Sequence, residues 1–215
     1  MAPRPDAVPQ SAVSPEDMAR AGVWRLLGRL LNAPPDAALL ADLAGLRGDD
    51  TPLGRALSAL AARAATISPE AADDEYHDLF IGITRGELVP FGSYYLTGFL
   101  NEKPLARLRA DMARLGFVRA GTADPEDHVA SLCDMHAAII LGESEAADPL
   151  AEAARFYRTH LDPWIDVFFA DLEGAERADL YAPVGALGLA LVEVERAALA
   201  MQGGRDGMQP ATFGA

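Results

Sequence analysis

Apolar positions recur every three or four residues through most of this chain. Val23, Leu27, Leu30 and Leu31 form one stripe, and Leu187, Leu191, Val194, Ala198 and Met201 form another. That spacing gathers side chains on one face of an α-helix. Alternating apolar and polar runs bounded by turn residues, the pattern of half-buried strands, are absent. The helix starts are written as a cap residue followed by proline: Ser14-Pro15, Thr51-Pro52, Ser68-Pro69, Asp124-Pro125, Asp148-Pro149 and Asp162-Pro163. A Ser, Thr or Asp oxygen accepts a free N–H of the first turn, and proline loses nothing at the first helical position. Several starts carry Glu or Asp in the next turn, where the helix end is positive. The pattern predicts an all-α fold, one domain of about nine or ten helices. It spans 14–202, and the tails 1–13 and 203–215 read as disordered.

One segment breaks the periodicity. Between Glu75 and Leu105, Gly82, Gly86, Pro90 and Gly92 interrupt any single helix, and Pro90 holds the residue before it extended. Tyr76, Phe80, Phe91, Tyr94, Tyr95 and Phe99 crowd around this bend. Tyr76, Leu79 and Phe80, at i, i+3 and i+4, share a face near the end of the helix opened by Pro69. That spacing serves a core as readily as a binding surface, and at least one of the three is expected to be buried. Gly92 or Ser93 is expected to cap the following helix. The Tyr94-Tyr95 pair offers apolar area with hydroxyl handles, or divides into one core and one surface ring. Further on, Gly116 to Asp124 reads as a linker, a hinge between two helical halves.

Composition narrows the function. At 215 residues the chain can bury a substantial core, and its formal charge is −14. Such a chain repels nucleic acid and anionic lipid and attracts cations, although the same charges also serve solubility. The longest apolar run, Ala182 to Val192, stops at Glu193, too short to span a bilayer. Residues 1–13 lack the apolar centre of a secretory signal. Cys133 is the sole cysteine, so neither an internal disulfide nor a cysteine-based zinc cluster is expected. A cytoplasmic protein fits all of this.

The second polar cluster is Asp124-Pro125-Glu126-Asp127-His128. Carboxylates in a first turn suit the helix dipole, whereas a histidine cation there does not, so His128 invites another role: a ligand contact or a bridge between helices. His136 lies on the stripe Val129, Leu132, His136, Ile140 and reads as a core histidine. Cys133 beside it lacks a third fixed ligand and reads as a buried thiol. Trp164, Phe168 and Phe169 read as core. Phosphate loops, zinc-protease motifs and a nucleophile elbow are absent, so no catalytic residue, metal or cofactor is expected.

Two motifs in order resemble the TorD/DmsD family. The first runs Tyr76-x-x-Leu79-Phe80-x-Gly82 and continues Gly86-Glu87-Leu88-x-Pro90-x-x-Ser93-Tyr94-Tyr95-Leu96-Thr97-Gly98-Phe99-Leu100. The second is Asp124-Pro125-Glu126-Asp127-His128, with Pro104-Leu105-x-x-Leu108-Arg109-x-Asp111 and Leu115-Gly116 between them. The likeness runs from about Trp24 to near Met201. It implies a cytoplasmic chaperone that binds the twin-arginine signal peptide and apo-form of a molybdenum-containing oxidoreductase, delaying export until the cofactor is inserted. Tyr76, Leu79 and Phe80 carry over as leader-binding positions, and Asp127 and His128 as ligand contacts. Pro90, Phe91, Ser93, Tyr94 and Glu126 complete the expected surface, whose acidic rim would meet the arginines. Formate dehydrogenase, trimethylamine N-oxide reductase and dimethyl sulfoxide reductase are all compatible clients. Cofactor-insertion proteins are further expected partners, nucleic acid and stable membrane insertion are not, and monomer and helix-exchanged homodimer both fit a 116–124 pivot. The sequence departs from the family at Asp124, where Glu is usual, and at Ala153, Ala154 and Arg155, where a Gln is expected. The alternative is a small helical metal- or nucleotide-dependent hydrolase built on the Asp127/His128 region with Cys133.

Overall fold

Four of the six cap-and-proline pairs open helices as expected. The side chains of Ser14, Thr51, Ser68 and Asp148 accept from the backbone N–H of Asp17, Gly54, Ala71 and Ala151. A computed structural model describes residues 13–82, 85–101, 103–118 and 125–206, the side chains of 202–206 excepted. Its helices are α1 Pro15–Asn32, α2 Ala37–Ala44, α3 Pro52–Ala64, α4 Pro69–Tyr76 and α5 Gly92–Thr97. They continue as α6 Lys103–Arg114, α7 Val129–Ile140, α8 Pro149–Phe156, α9 Ile165–Glu173 and α10 Tyr181–Asp206. Single π-helical turns, His77–Ile81 and Tyr157–Leu161, extend α4 and α8. Among the described residues no strand forms, and one antiparallel bridge joins Phe91 to His128. The fold is all-α with ten helices among the described residues.

Two expected starts are corrected. Asp124 lies outside the described residues, and Pro125 to Asp127 form a turn, so α7 begins at Val129 with His128 as its cap. The reason is tertiary: Asp127 is spent on α5, and the Val129 N–H bonds the Pro90 carbonyl. Asp162 likewise closes the π turn, its N–H on the Tyr157 carbonyl, and α9 waits until Ile165. α2 opens without a proline at its first position: Asp36 accepts from the Leu39 N–H.

α1 packs along α7, and α10 along α9 and α3. Trp24, Phe156, Tyr157, Phe168, Phe169 and Tyr181 are fully buried between them. Gly188 permits the α9–α10 approach, since a Cβ there would lie 2.2 Å from the Phe169 ring. The α10 stripe holds at Leu187 and Leu191, but Val194 and Met201 are exposed and Glu195 and Leu199 turn inward. Glu195 is held by Arg20 Nη1 at 2.7 Å, Trp24 Nε1 at 3.1 Å and His136 Nε2 at 3.2 Å. Burial alone would raise its carboxyl; His136 and Arg20 outweigh that and keep it below the ordinary glutamate value. His136 is therefore a core residue, edge-on to Trp24 with centroids 5.3 Å apart.

The start of α10 has an unusual cap. The Glu75 carboxylate on α4 accepts the backbone N–H groups of Asp179, Leu180 and Tyr181 at 2.7, 3.0 and 2.8 Å. Glu87 does the same for Glu176 and, more weakly, Arg177. These bonds tie the bend region to the long helix. α10 runs on to Asp206, into the stretch expected to be a tail. Residues 1–12, 207–215 and most of the expected hinge, 119–124, lie outside the described residues.

Candidate functional site

The bend after α4 is shaped by backbone constraints. The π turn ends at Gly82, whose φ of 61° is left-handed, and an added Cβ there would overlap the Arg85 carbonyl. From Arg85 to Phe91 the chain forms no helix, and at Gly92 it turns into α5. α5 has no side-chain cap of its own, contrary to the expectation for Gly92 or Ser93. Instead Asp127 caps it from outside: its Oδ2 accepts the Ser93 N–H at 2.6 Å, and its carbonyl accepts the Gly92 N–H at 3.0 Å. Gly92 packs against Trp164, where a Cβ would sit 3.2 Å from the indole.

A cleft of about 350 Å³ opens beside this junction. One wall is α5, with Gly92, Ser93, Leu96 and Thr97, and the facing wall is α6, with Lys103, Pro104, Arg107 and Leu108. Asp127, Leu132, Thr159, His160 and Trp164 close it. The π turn after α8 is what brings Thr159 and His160 to this surface. Such turns insert a residue into the helical ladder and recur at functional sites. After α5, Gly98 takes φ 79° and the chain bends past Phe99, 70% exposed, and Leu100. Leu96 on the cleft wall, with Phe99 and Leu100 just after it in the chain, forms an exposed apolar edge.

Two polar atoms stand out on the wall. Ser93 Oγ and Asp127 Oδ1 are buried, and neither has a hydrogen-bond partner. Asp127 is 3% exposed and Ser93 fully buried. A buried polar atom left unpaired costs about 1–3 kcal/mol, which a ligand supplying the missing bonds recovers. His160 Nε2 meets Asp111 Oδ2 at 2.8 Å, and its carbonyl accepts Trp164 Nε1–H at 2.7 Å. Burial pushes His160 below the ordinary histidine value, against the pull of Asp111. Burial would raise Asp111, but bonds from Arg155 and His160 win and hold it at about 2.

The expected site residues divide into two groups. Tyr76, 7% exposed, and Leu79, fully buried, belong to the core: the Tyr76 hydroxyl donates to the Leu31 carbonyl, and its ring packs on Phe80 and Tyr181. Phe80 is half-buried against Tyr181, and Pro90 is buried with its carbonyl on Val129. These four shape the bend from beneath and do not line the cleft. Phe91 packs edge-on to His128 at 5.0 Å, and Tyr94 lies under Arg85, which donates to its hydroxyl at 2.6 Å. Tyr95 stacks on Trp164 and donates to Asp171, so both tyrosines of the pair are half-buried. Ser93 and Asp127 are the two expected residues that meet in the cleft wall.

Glu126 and His128 flank the cleft rather than line it. Glu126 accepts from Arg109 at 2.8 Å, and His128 Nδ1 accepts the Ala130 N–H, so that nitrogen carries no proton. This accounts for a histidine at a helix start: its Nδ1 accepts a first-turn N–H as a serine oxygen would. Cys133 is sealed in the core and burial raises its thiol. Among the described residues no three His, Cys, Asp or Glu side chains converge as a metal site. Four residues that sequence reading passed over, Leu96, Lys103, Arg107 and His160, line the cleft. Lys103, the chain's single lysine, was the available signal.

Comparison with known proteins agrees with this architecture. A solved structure from Archaeoglobus fulgidus, of a protein assigned to redox enzyme maturation, matches with a TM-score of 0.51. The match covers 81% of this chain and 93% of that one, at 19% identity, and shows a shared fold. No curated protein matches in sequence. The model of the nitrate reductase delta subunit family matches residues 46–170, a segment holding the bend, the cleft and both motifs. The chain belongs to the nitrate reductase delta subunit family, which bears out the TorD/DmsD resemblance of its motifs.

Proposed function

We propose that the protein is a cytoplasmic maturation chaperone that holds the twin-arginine signal peptide of a molybdenum-containing redox enzyme in the α5–α6 cleft until the cofactor is in place. The observation that carries this reading is the pair of unpartnered buried atoms, Asp127 Oδ1 and Ser93 Oγ, beside the exposed Leu96, Phe99 and Leu100. A guanidinium supplies donors to Asp127 Oδ1 with charge assistance, and a peptide carbonyl accepts from Ser93 Oγ. The apolar part of the leader covers the Leu96–Leu100 edge as a helix in a groove. Tyr76, Leu79, Phe80 and Pro90 act from below by holding the bend. Phe91 and Tyr94 extend the surface, and Glu126 and His128 fix Asp127 in place.

Binding here is an equilibrium that competes with export, so moderate affinity suits it. Ordering a disordered leader offsets part of the contact energy, and micromolar binding, about −8 kcal/mol, is expected. Isothermal titration with a synthetic twin-arginine leader tests the reading. Asp127→Asn keeps the shape and the cap but removes the charge, and weakens binding at least about tenfold. No binding by the unaltered protein, or equal binding by Asp127→Asn, overturns it. Leaders from formate dehydrogenase, trimethylamine N-oxide reductase and dimethyl sulfoxide reductase, titrated side by side, identify the client class.

A further inference from the structure

Lys103 and Arg107 stand one helical turn apart on α6, both exposed and both on the wall of the cleft. Neither forms an ion pair among the described residues, whereas Arg109 and Arg114 on the same helix engage Glu126, Asp111 and Glu152. In a chain with 32 acidic and 18 basic residues, two unengaged cations facing one cleft run against the prevailing sign. The carboxylates that would favour a purely cationic ligand lie elsewhere: Asp36, Glu70, Asp73 and Asp74 ring a separate shallow hollow. The cleft is therefore bipolar. Asp127 supplies a buried negative pole with a free acceptor atom, and α6 supplies a positive one.

We propose that Lys103 and Arg107 form an anion-selecting subsite, so that the cleft takes a client segment carrying an aspartate or glutamate close to its basic group. This rests on the peptide-binding reading above and adds a specificity rule to it. The arginine offers a fork matched to a carboxylate and the lysine a mobile point charge, and both strengthen once the apolar edge is covered and water is excluded. A segment with bases alone would bring like charges against α6, which costs affinity. The rule selects among leaders that share the same basic motif.

The test uses the intact protein and synthetic twin-arginine leader peptides in which one glutamate is walked along the positions flanking the arginines, each with a glutamine counterpart. At one register the glutamate peptide is expected to bind about fivefold or more tightly, a gap that narrows at high salt. The Lys103→Glu, Arg107→Glu double variant then prefers a lysine peptide at that register. Because Lys103 is the only lysine, peptide mapping after acetic anhydride treatment reads its occupancy directly, and the bound glutamate peptide protects it. Equal affinity of glutamate and glutamine peptides at every register overturns the subsite while leaving the cleft reading standing. Failure of every peptide to bind overturns both.

Discussion

The Asp127 carboxylate accepts the Ser93 backbone N–H at 2.6 Å across 34 residues of chain, so the first turn of α5 is capped by a residue from the threshold of α7. The same contact fixes the α5 wall of the candidate cleft to the start of α7. One carboxylate oxygen builds the structure, and the other is buried in the cleft wall without a partner.

That division predicts opposite outcomes for two neighbouring substitutions. Asp127→Ala removes the cap and is expected to cost about 1–2 kcal/mol, a fall of roughly 3–8 °C in melting temperature. Ser93→Ala deletes a hydroxyl with no partner and is expected to be neutral or stabilising by up to about 1 kcal/mol. Scanning calorimetry on both variants decides; a clear loss in Ser93→Ala would show that the hydroxyl has a partner in the free protein.

Glu75 anchors the start of α10 through three backbone donors. Glu75→Ala leaves all three unpaired, two of them buried, and a loss of about 3 kcal/mol is expected. Glu75→Gln keeps an acceptor oxygen and should cost less, about 1–2 kcal/mol. Chemical denaturation of the two variants measures the order, and equal losses would refute the account.

The Arg20–Glu195 pair is fully enclosed, with His136 and Trp24 on the same carboxylate. Glu195→Ala removes the enclosed partner of the buried Arg20, which keeps only the part-exposed Asp17 at 2.7 Å, and is expected to destabilise by about 3 kcal/mol. Replacing both partners, Arg20→Met with Glu195→Leu, should recover much of that, because no uncompensated charge remains. A double-mutant cycle reads the coupling directly, and strict additivity would sink the claim.

Asp111 predicts an acid limb. It titrates at about 2 in the folded protein against 3.8 for an unperturbed aspartate, so protons bind the unfolded state first. Its contribution is complete above pH ~5, shrinks as the pH falls through the unfolded value, and is gone below about 2. The melting-temperature difference between the unaltered protein and Asp111→Asn should therefore be flat near neutrality and close in acid. A difference independent of pH would mean the carboxylate works by shape alone.

Local chemistry was legible where it was self-sufficient. Ser14, Thr51, Ser68 and Asp148 cap their own helices three residues on, and proline tells the reader where. The same signal misled at Asp124-Pro125 and Asp162-Pro163, because other bonds displaced the local cap: Asp127 serves α5, 34 residues back, and Asp162 closes the π turn begun at Tyr157. The stripe on α10 failed at Glu195 for a related reason. A charge can occupy a core position when Arg20, Trp24 and His136 satisfy it, and periodicity cannot register that.

For the site, the sequence by itself determined that a glycine- and proline-broken bend interrupts a helical scaffold, and that an Asp-His pair belongs with it. Helix period, breakers and caps are near-neighbour effects, which is why they survive in one dimension. Only the tertiary structure decided which side of the bend is open. It sealed Tyr76 against Tyr181 and Leu31 and buried Leu79 in the core, and it turned Ser93, Asp127, Lys103 and Arg107 toward one cleft. Burial depends on which surfaces meet, and α5 and α6 meet the α8 π turn here through contacts tens of residues apart.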